Sequence, residues 1–294
     1  MAIFTNECSI SGLVYDFGKF GVKERPDGSI SGSLMILTDP KNETVVEVNF
    51  IPQKPVYKSG KENTTYEALK QLMETKATVA NVGEKKAAKV RCTCRVSTNI
   101  YFMASRSKHD EMEQHETLQY SGSFLHIDEN AQPYMGFNMD CVIASVVPCN
   151  QDEPNGEQRV RIKFYDDYYH MFRFANMKVV DPAGIAVFQR EVEDQPYYAT
   201  ISGTVVNHVV EKREDSSAME FGAAAVTATP RAYKDTIITG VTPRKEYPFS
   251  EDEDKESANN RKEFLANRLK AAQERANKTS SAAAPKKKLS VTDF

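Results

Sequence analysis

Apolar and polar residues alternate strictly over residues 158–165. Val160, Ile162 and Phe164 fall on one side of an extended chain, and Arg159, Arg161, Lys163 and Tyr165 on the other, because successive side chains of a strand point to opposite faces. Residues 89–96 do the same, with Lys89, Arg91, Thr93 and Arg95 opposing Val90, Cys92, Cys94 and Val96. Each pattern predicts a strand with a buried apolar face and a cationic outer face. Such a face suits a phosphate backbone when aromatics lie beside the cations, although a merely solvated strand carries the same pattern.

The remaining elements follow from turn and cap chemistry. Strands are predicted over 8–17, 29–38 and 43–51, with Pro26-Asp27-Gly28 as turn residues between the first two. Thr64 and Glu67 stand at capping-box spacing and open a helix. Strands return at 77–82, 89–96 and 99–103, and 105–116 reads as a polar linker. The second half repeats the order. Strands are predicted at 118–127, 134–147 and 157–165, and Asp166 caps a short helix with Tyr168, Phe172 and Ala175 on one face. Further strands follow at 184–191 and 197–210, with a hairpin over 218–229 and 236–242. Ser11-Gly12 and Ser121-Gly122 hold matching places in the two halves, a duplication of pattern.

Strands, a helix, then two more strands in about 100 residues is the order of an oligonucleotide/oligosaccharide-binding barrel, and plain α+β domains share it. The fold class expected is mainly β: two tandem OB-like β-barrels, each with an inserted helix, followed by a helical and disordered C-terminal tail. The boundaries read as a first barrel over 1–105, a linker over 106–116, and a second barrel with an extra hairpin over 117–249. An exposed helix over 250–278 and a flexible tail over 279–294 complete the chain.

Composition narrows the function. A hydrophobic content of 40% supplies packed cores, and a mean hydropathy of −0.53 fits a soluble, cytoplasmic protein. No run reaches the roughly 20 apolar residues a membrane helix needs. The net charge is −3, and residues 1–249 carry 28 basic against 33 acidic side chains, so nucleic-acid binding requires a local groove rather than a basic body. The five cysteines have no disulfide-like spacing. Cys92-Thr93-Cys94 lacks both the spacing and the histidine pair of a zinc site. Gly-rich phosphate loops, Gly-x-Ser-x-Gly elbows and His-Glu-x-x-His pairs are absent from the sequence, and paired acids such as Asp166-Asp167 serve as helix caps. The reading is a non-enzymatic protein without metal or cofactor.

The C-terminal segment starts with four acids at 251–254 and continues as a helix with few large apolar residues. It passes through a Ser/Ala/Pro linker and three lysines at 286–288, and ends Asp293-Phe294. The basic cluster serves solubility, targeting or nucleic-acid contact. With barrels and this ending together, the chain resembles bacterial and phage single-stranded DNA-binding proteins, whose tails end in acids and a terminal Phe held by replication partners. The resemblance implies a protein that coats single-stranded DNA in phage replication or recombination and recruits replication or recombination proteins through Asp293 and Phe294. A viral structural or adaptor protein acting by protein contacts is the alternative. The nucleic-acid-binding residues expected are Arg159, Arg161, Lys163 and Tyr165 in the second half. In the first half they are Lys19, Phe20, Lys23 and Arg25, with Arg91 and Arg95. Tyr15, Tyr101 and Tyr134 are further, weaker stacking candidates, with a place in the core as the alternative for each.

Overall fold

The computed structural model describes residues 4–105, 111–149, 158–191, 197–214, 227–243 and 246–281. The first half contains β1 (Asn6–Glu24), β2 (Ile30–Asp39), β3 (Thr44–Gln53), α1 (Thr64–Thr75), α2 (Val79–Val82), β4 (Lys89–Ala104) and β5 (Met112–Ile127). The second contains β6 (Tyr134–Pro148), β7 (Gln158–Asp166), β8 (Met171–Val179), α3 (Pro182–Glu191), β9 (Tyr197–Glu214) and β10 (Thr227–Pro243), and α4 (Glu251–Ser281) follows.

The expectation of two tandem barrels is corrected by the strand pairing. All ten strands of the described residues belong to one sheet in the order β2-β3-β5-β4-β1-β6-β7-β8-β10-β9, with additional β1–β2 and β6–β9 pairings. The fold is mainly β with inserted helices. Its continuity comes from β1, whose residues Cys8 to Ser11 pair with β4 along one edge and with β6 along the other. Beyond Leu13 that second edge passes to β2. Strand edges carry unpaired N–H and C=O groups that must find partners, and β6 supplies them. The pattern of pairing is duplicated. β3 and β5 run parallel through Val48 and Tyr120, as β8 and β10 do through Val179 and Ile238.

The alternation read from the sequence places the core faces of β4 and β7. Val90, Cys92, Cys94, Val96 and Ile100 are buried on β4, and Val160, Ile162 and Phe164 on β7. One continuous apolar cluster runs from Ile10 and Leu34 to Phe164 and Ile201. Close packing uses glycine where rings meet backbone: a Cβ on Gly122 would lie 2.3 Å from the Phe50 ring.

Four local readings change. Residues 184–191 form α3 rather than a strand. Asp181 accepts the Ala183 N–H at 2.9 Å, Pro182 occupies the first helical position, and Ile185 and Phe188 bury one face. Residues 79–82 form the short helix α2, capped by Thr78. Asp166 does cap backbone N–H groups, those of Tyr168 and Tyr169 at 3.0 and 3.2 Å, but in a tight turn. His170, at φ 49°, ends that turn and leads into β8. In α1 the capping side chain is Asn63, one residue before Thr64.

The N-terminal half of α4 docks on the sheet. Ser257, 1% exposed, accepts the Phe172 N–H at 2.8 Å. Arg261 reaches Glu116 and the Phe172 carbonyl, and Asn260 donates to the His170 carbonyl. Phe264 meets Tyr169 edge-on at 5.0 Å, and the Arg173 guanidinium lies 4.9 Å from each of those rings. A helix with only three large apolar residues is thus held by ion pairs and cation–π contacts. Among the described residues, no helix is long and apolar enough to cross a membrane.

Candidate nucleic-acid interface

The outer face of β7 bears the four residues singled out by its alternation, and the C-terminal segment lies over part of it. Lys163 Nζ is 3.6 Å from Asp254, 3.4 Å from the Tyr247 hydroxyl, and 3.8 Å from the centre of the Phe172 ring. Tyr165 sits among Phe4, Phe172 and Phe249, at centroid distances of 5.4, 5.5 and 5.0 Å. Burial, followed by the negative field of Asp167, Glu256, Glu253 and Asp166, raises its phenol pKa above the ordinary value. Arg161 is exposed and stacks on Phe174 at 5.0 Å, and Arg261 stacks on the same ring at 4.7 Å. Arg159 is half-buried, between Val147 of β6 and Lys178 of β8.

On β4 the cations point outward as the alternation requires, each beside an acid. Arg91 Nε lies 2.5 Å from Asp128, whose carboxyl is held below the ordinary range by the Asn130 backbone N–H and then by Arg91. Arg95 reaches Asp167 at 3.5 Å. Register places exposed aromatics around them. Arg91 is opposite His126 on β5 and Ser11 on β1, and Ser11 is opposite Tyr134 on β6. One row along, Phe124, Thr93, Ser9 and Gly136 form a parallel line across the same four strands. Tyr134 is 55% exposed and Phe124 49%. Phe124 escaped the sequence reading, although its outward position follows from alternation with buried Leu125 in a predicted strand.

The third group is on β1. Phe17 pairs with Leu34 and Val22 with Gly32, so residues 18–21 bulge opposite Ser33 alone. Glycine makes this bulge possible. Gly21 takes φ 62°, and a Cβ on Gly18 would fall 2.1 Å from the Ser33 Oγ. The Lys19 N–H donates to Glu47 at 3.1 Å, which holds the bulge down on β3 while Lys19 and Phe20 project. Phe20 is 63% exposed, with the Lys19 ammonium 5.9 Å from its ring centre. Lys23 and Arg25 are exposed, and Arg25 Nε donates to the Ser31 hydroxyl at 2.8 Å. Among the described residues, no carboxylate forms an ion pair with Lys19, Lys23 or Arg25. Tyr15 is exposed further back on the same strand, and Tyr101 stacks on His115 at 5.3 Å.

Asp293 and Phe294 lie outside the described residues. Among the described residues, no group of three His, Cys, Asp or Glu side chains could hold a metal ion.

A family model described as YorF matches residues 5–271. No curated protein matches the chain. Among solved structures, it is similar to the wild-type single-stranded DNA binding protein from Thermus aquaticus. The TM-score is 0.46 and the identity 10%, over 85% of this chain and 97% of that one. A deletion mutant of the same Thermus protein gives a TM-score of 0.46 and 11% identity, over 85% of this chain and 100% of that one.

Proposed function

This chain belongs to the YorF family, and from that premise we propose that it binds single-stranded DNA along β1 and coats it during phage replication or recombination. The observation that carries the reading is the bulge at 18–21. An exposed Phe20 ring has Lys19 beside it and Lys23 and Arg25 further along the same chain segment, and no carboxylate of the described residues pairs with these cations. Free cations neutralise phosphates and release counterions, and a bare ring stacks on any base.

Tyr15 lies on the same strand, and Tyr134 flanks it opposite Ser11, so aromatics are strung over about 20 Å of β1, at roughly 3.3 Å per paired residue with the bulge adding chain but little length. Arg91, Arg95 and Arg161 contribute secondary phosphate contacts in this reading. The charges of Arg91 and Arg95 are shared with Asp128 and Asp167. Lys163 and Tyr165 contribute when the segment bearing Tyr247, Phe249 and Asp254 withdraws.

Titration of a labelled dT oligonucleotide at two salt concentrations tests the proposal. Binding that weakens steeply with salt, and weakens further in Phe20→Ala, is the result expected. Absence of binding at low salt, or an unchanged affinity in Phe20→Ala, would overturn it.

A further inference from the structure

A cavity of ≈ 310 Å³ opens on the outer surface where β1, β6 and β9 meet, beyond Tyr134. Its polar wall is one register row: Glu7 of β1 faces Asn138 of β6, which faces Ser202 of β9. Among the described residues, the Glu7 carboxylate, the Asn138 amide and the Ser202 hydroxyl make no hydrogen bond with one another or with a neighbour. The sheet therefore presents an acceptor pair, a donor–acceptor pair and a hydroxyl side by side. The opposite wall is the Tyr134 ring. It folds back over Gly136, where a Cβ would come within 2.2 Å of the phenol oxygen and 2.8 Å of Cζ. Gly203 lines the floor with its backbone, while the direction its Cβ would take points into the core, against the buried Phe137 ring at 2.4 Å.

Resting on the single-stranded DNA reading, we infer that this cavity receives one unpaired base and selects guanine over thymine. A phosphate is the wrong occupant, because it would face the Glu7 carboxylate and like charges juxtaposed at an interface are costly. A planar base can lie against the Tyr134 ring with its Watson–Crick edge toward the polar row, which is how unpaired bases are read. A carboxylate only accepts hydrogen bonds. Guanine offers it two adjacent donors, the ring N1–H and the exocyclic amino group. Thymine offers one N–H between two carbonyl oxygens, and those oxygens would be turned toward the carboxylate. Asn138, next in the row, is placed to meet the guanine carbonyl. The phosphate contacts along β1 set affinity, and this cavity sets base preference.

The test compares a labelled dT oligonucleotide with one of equal length carrying a single central dG, on the full chain, by fluorescence anisotropy. A bidentate base contact discriminates by at least about fivefold, and that preference for the dG strand is the expected result. Glu7→Gln, a conservative change at an exposed position, abolishes the preference while leaving dT affinity equal or higher. Equal affinity for the two strands, or a preference that survives Glu7→Gln, would overturn the inference while leaving the binding proposal standing. Failure to bind either strand at low salt would remove both.

Discussion

The Arg261 guanidinium closes on the Glu116 carboxylate, with Nη2 2.7 Å from Oε2 and the two side chains only 16% and 10% exposed. Glu116 also accepts the Thr98 hydroxyl at 2.8 Å and the Phe174 N–H at 3.0 Å. One carboxylate thus ties β4, β8 and α4 together. Removing one partner leaves a charge stranded out of water. Arg261→Ala is expected to destabilise the protein by about 3 kcal/mol or more, measured by urea denaturation. A loss below about 1 kcal/mol would show that α4 is not anchored through this pair.

The phosphate contacts assigned to the bulge have their own signature. Each cation that neutralises a phosphate of a single strand contributes about 0.7 to the slope of log affinity against log salt. Lys19→Ala with Lys23→Ala is therefore expected to flatten the slope by about 1.4. Both side chains are exposed, so the melting temperature should hardly move. An unaltered slope would place the phosphate contacts elsewhere.

Thiol reactivity should divide the cysteines sharply. Cys8, Cys92, Cys94 and Cys141 are buried, whereas Cys149 is half-buried. The Cys8 thiol pKa is pushed up by its hydrogen bond with Cys94 and then by burial, and that of Cys141 by burial. Because the thiolate is the nucleophile, a chromogenic disulfide reagent should titrate one thiol per native chain and five after unfolding. Rapid labelling of several thiols in the folded protein would contradict this burial.

The start of α4 should be sensitive to acid. Glu253 accepts the Ser250 N–H at 2.8 Å and its hydroxyl at 2.9 Å, contacts that hold the carboxyl pKa below its ordinary value. A depressed carboxyl stabilises the fold fully above its unfolded-state pKa, and the contribution is lost as pH falls through the folded value. Amide exchange at residues 251–254 should accelerate as pH falls below about 4, after correction for intrinsic exchange. In Glu253→Gln that pH dependence should vanish; an identical profile in the variant would assign the effect to another group.

How much was legible in the chain can be judged strand by strand. Alternation identified the inward faces of β4 and β7, because a period of two is local and survives whichever strand lies next door. It failed at 184–191, where Ile185 and Val187 suit a strand. The decisive terms are the Asp181 cap and the burial of Ile185 and Phe188, which are a neighbour's contribution and a tertiary one. At 166–170 the cap chemistry was legible but its use was not, since an Asp side chain serves a turn and a helix start equally well.

The candidate interface divides in the same way. The sequence by itself determined which residues of β4 and β7 point out of the sheet, Arg91 and Arg95 and Arg161 and Lys163, whereas Lys19 and Phe20 read as loop residues and only the structure places them on a bulge of β1. Tertiary structure alone decided how free each of them is. Asp128, Asp167 and Asp254 are 37, 72 and 91 residues from the cations they meet, so no local pattern encodes the pairing. The joining of β1 to β6 was likewise invisible, because hydrogen-bonding edges are backbone properties that side-chain patterning does not report. The physical reason is common to both: orientation follows from the pleat, which is local, whereas charge compensation and edge pairing depend on which distant segment arrives.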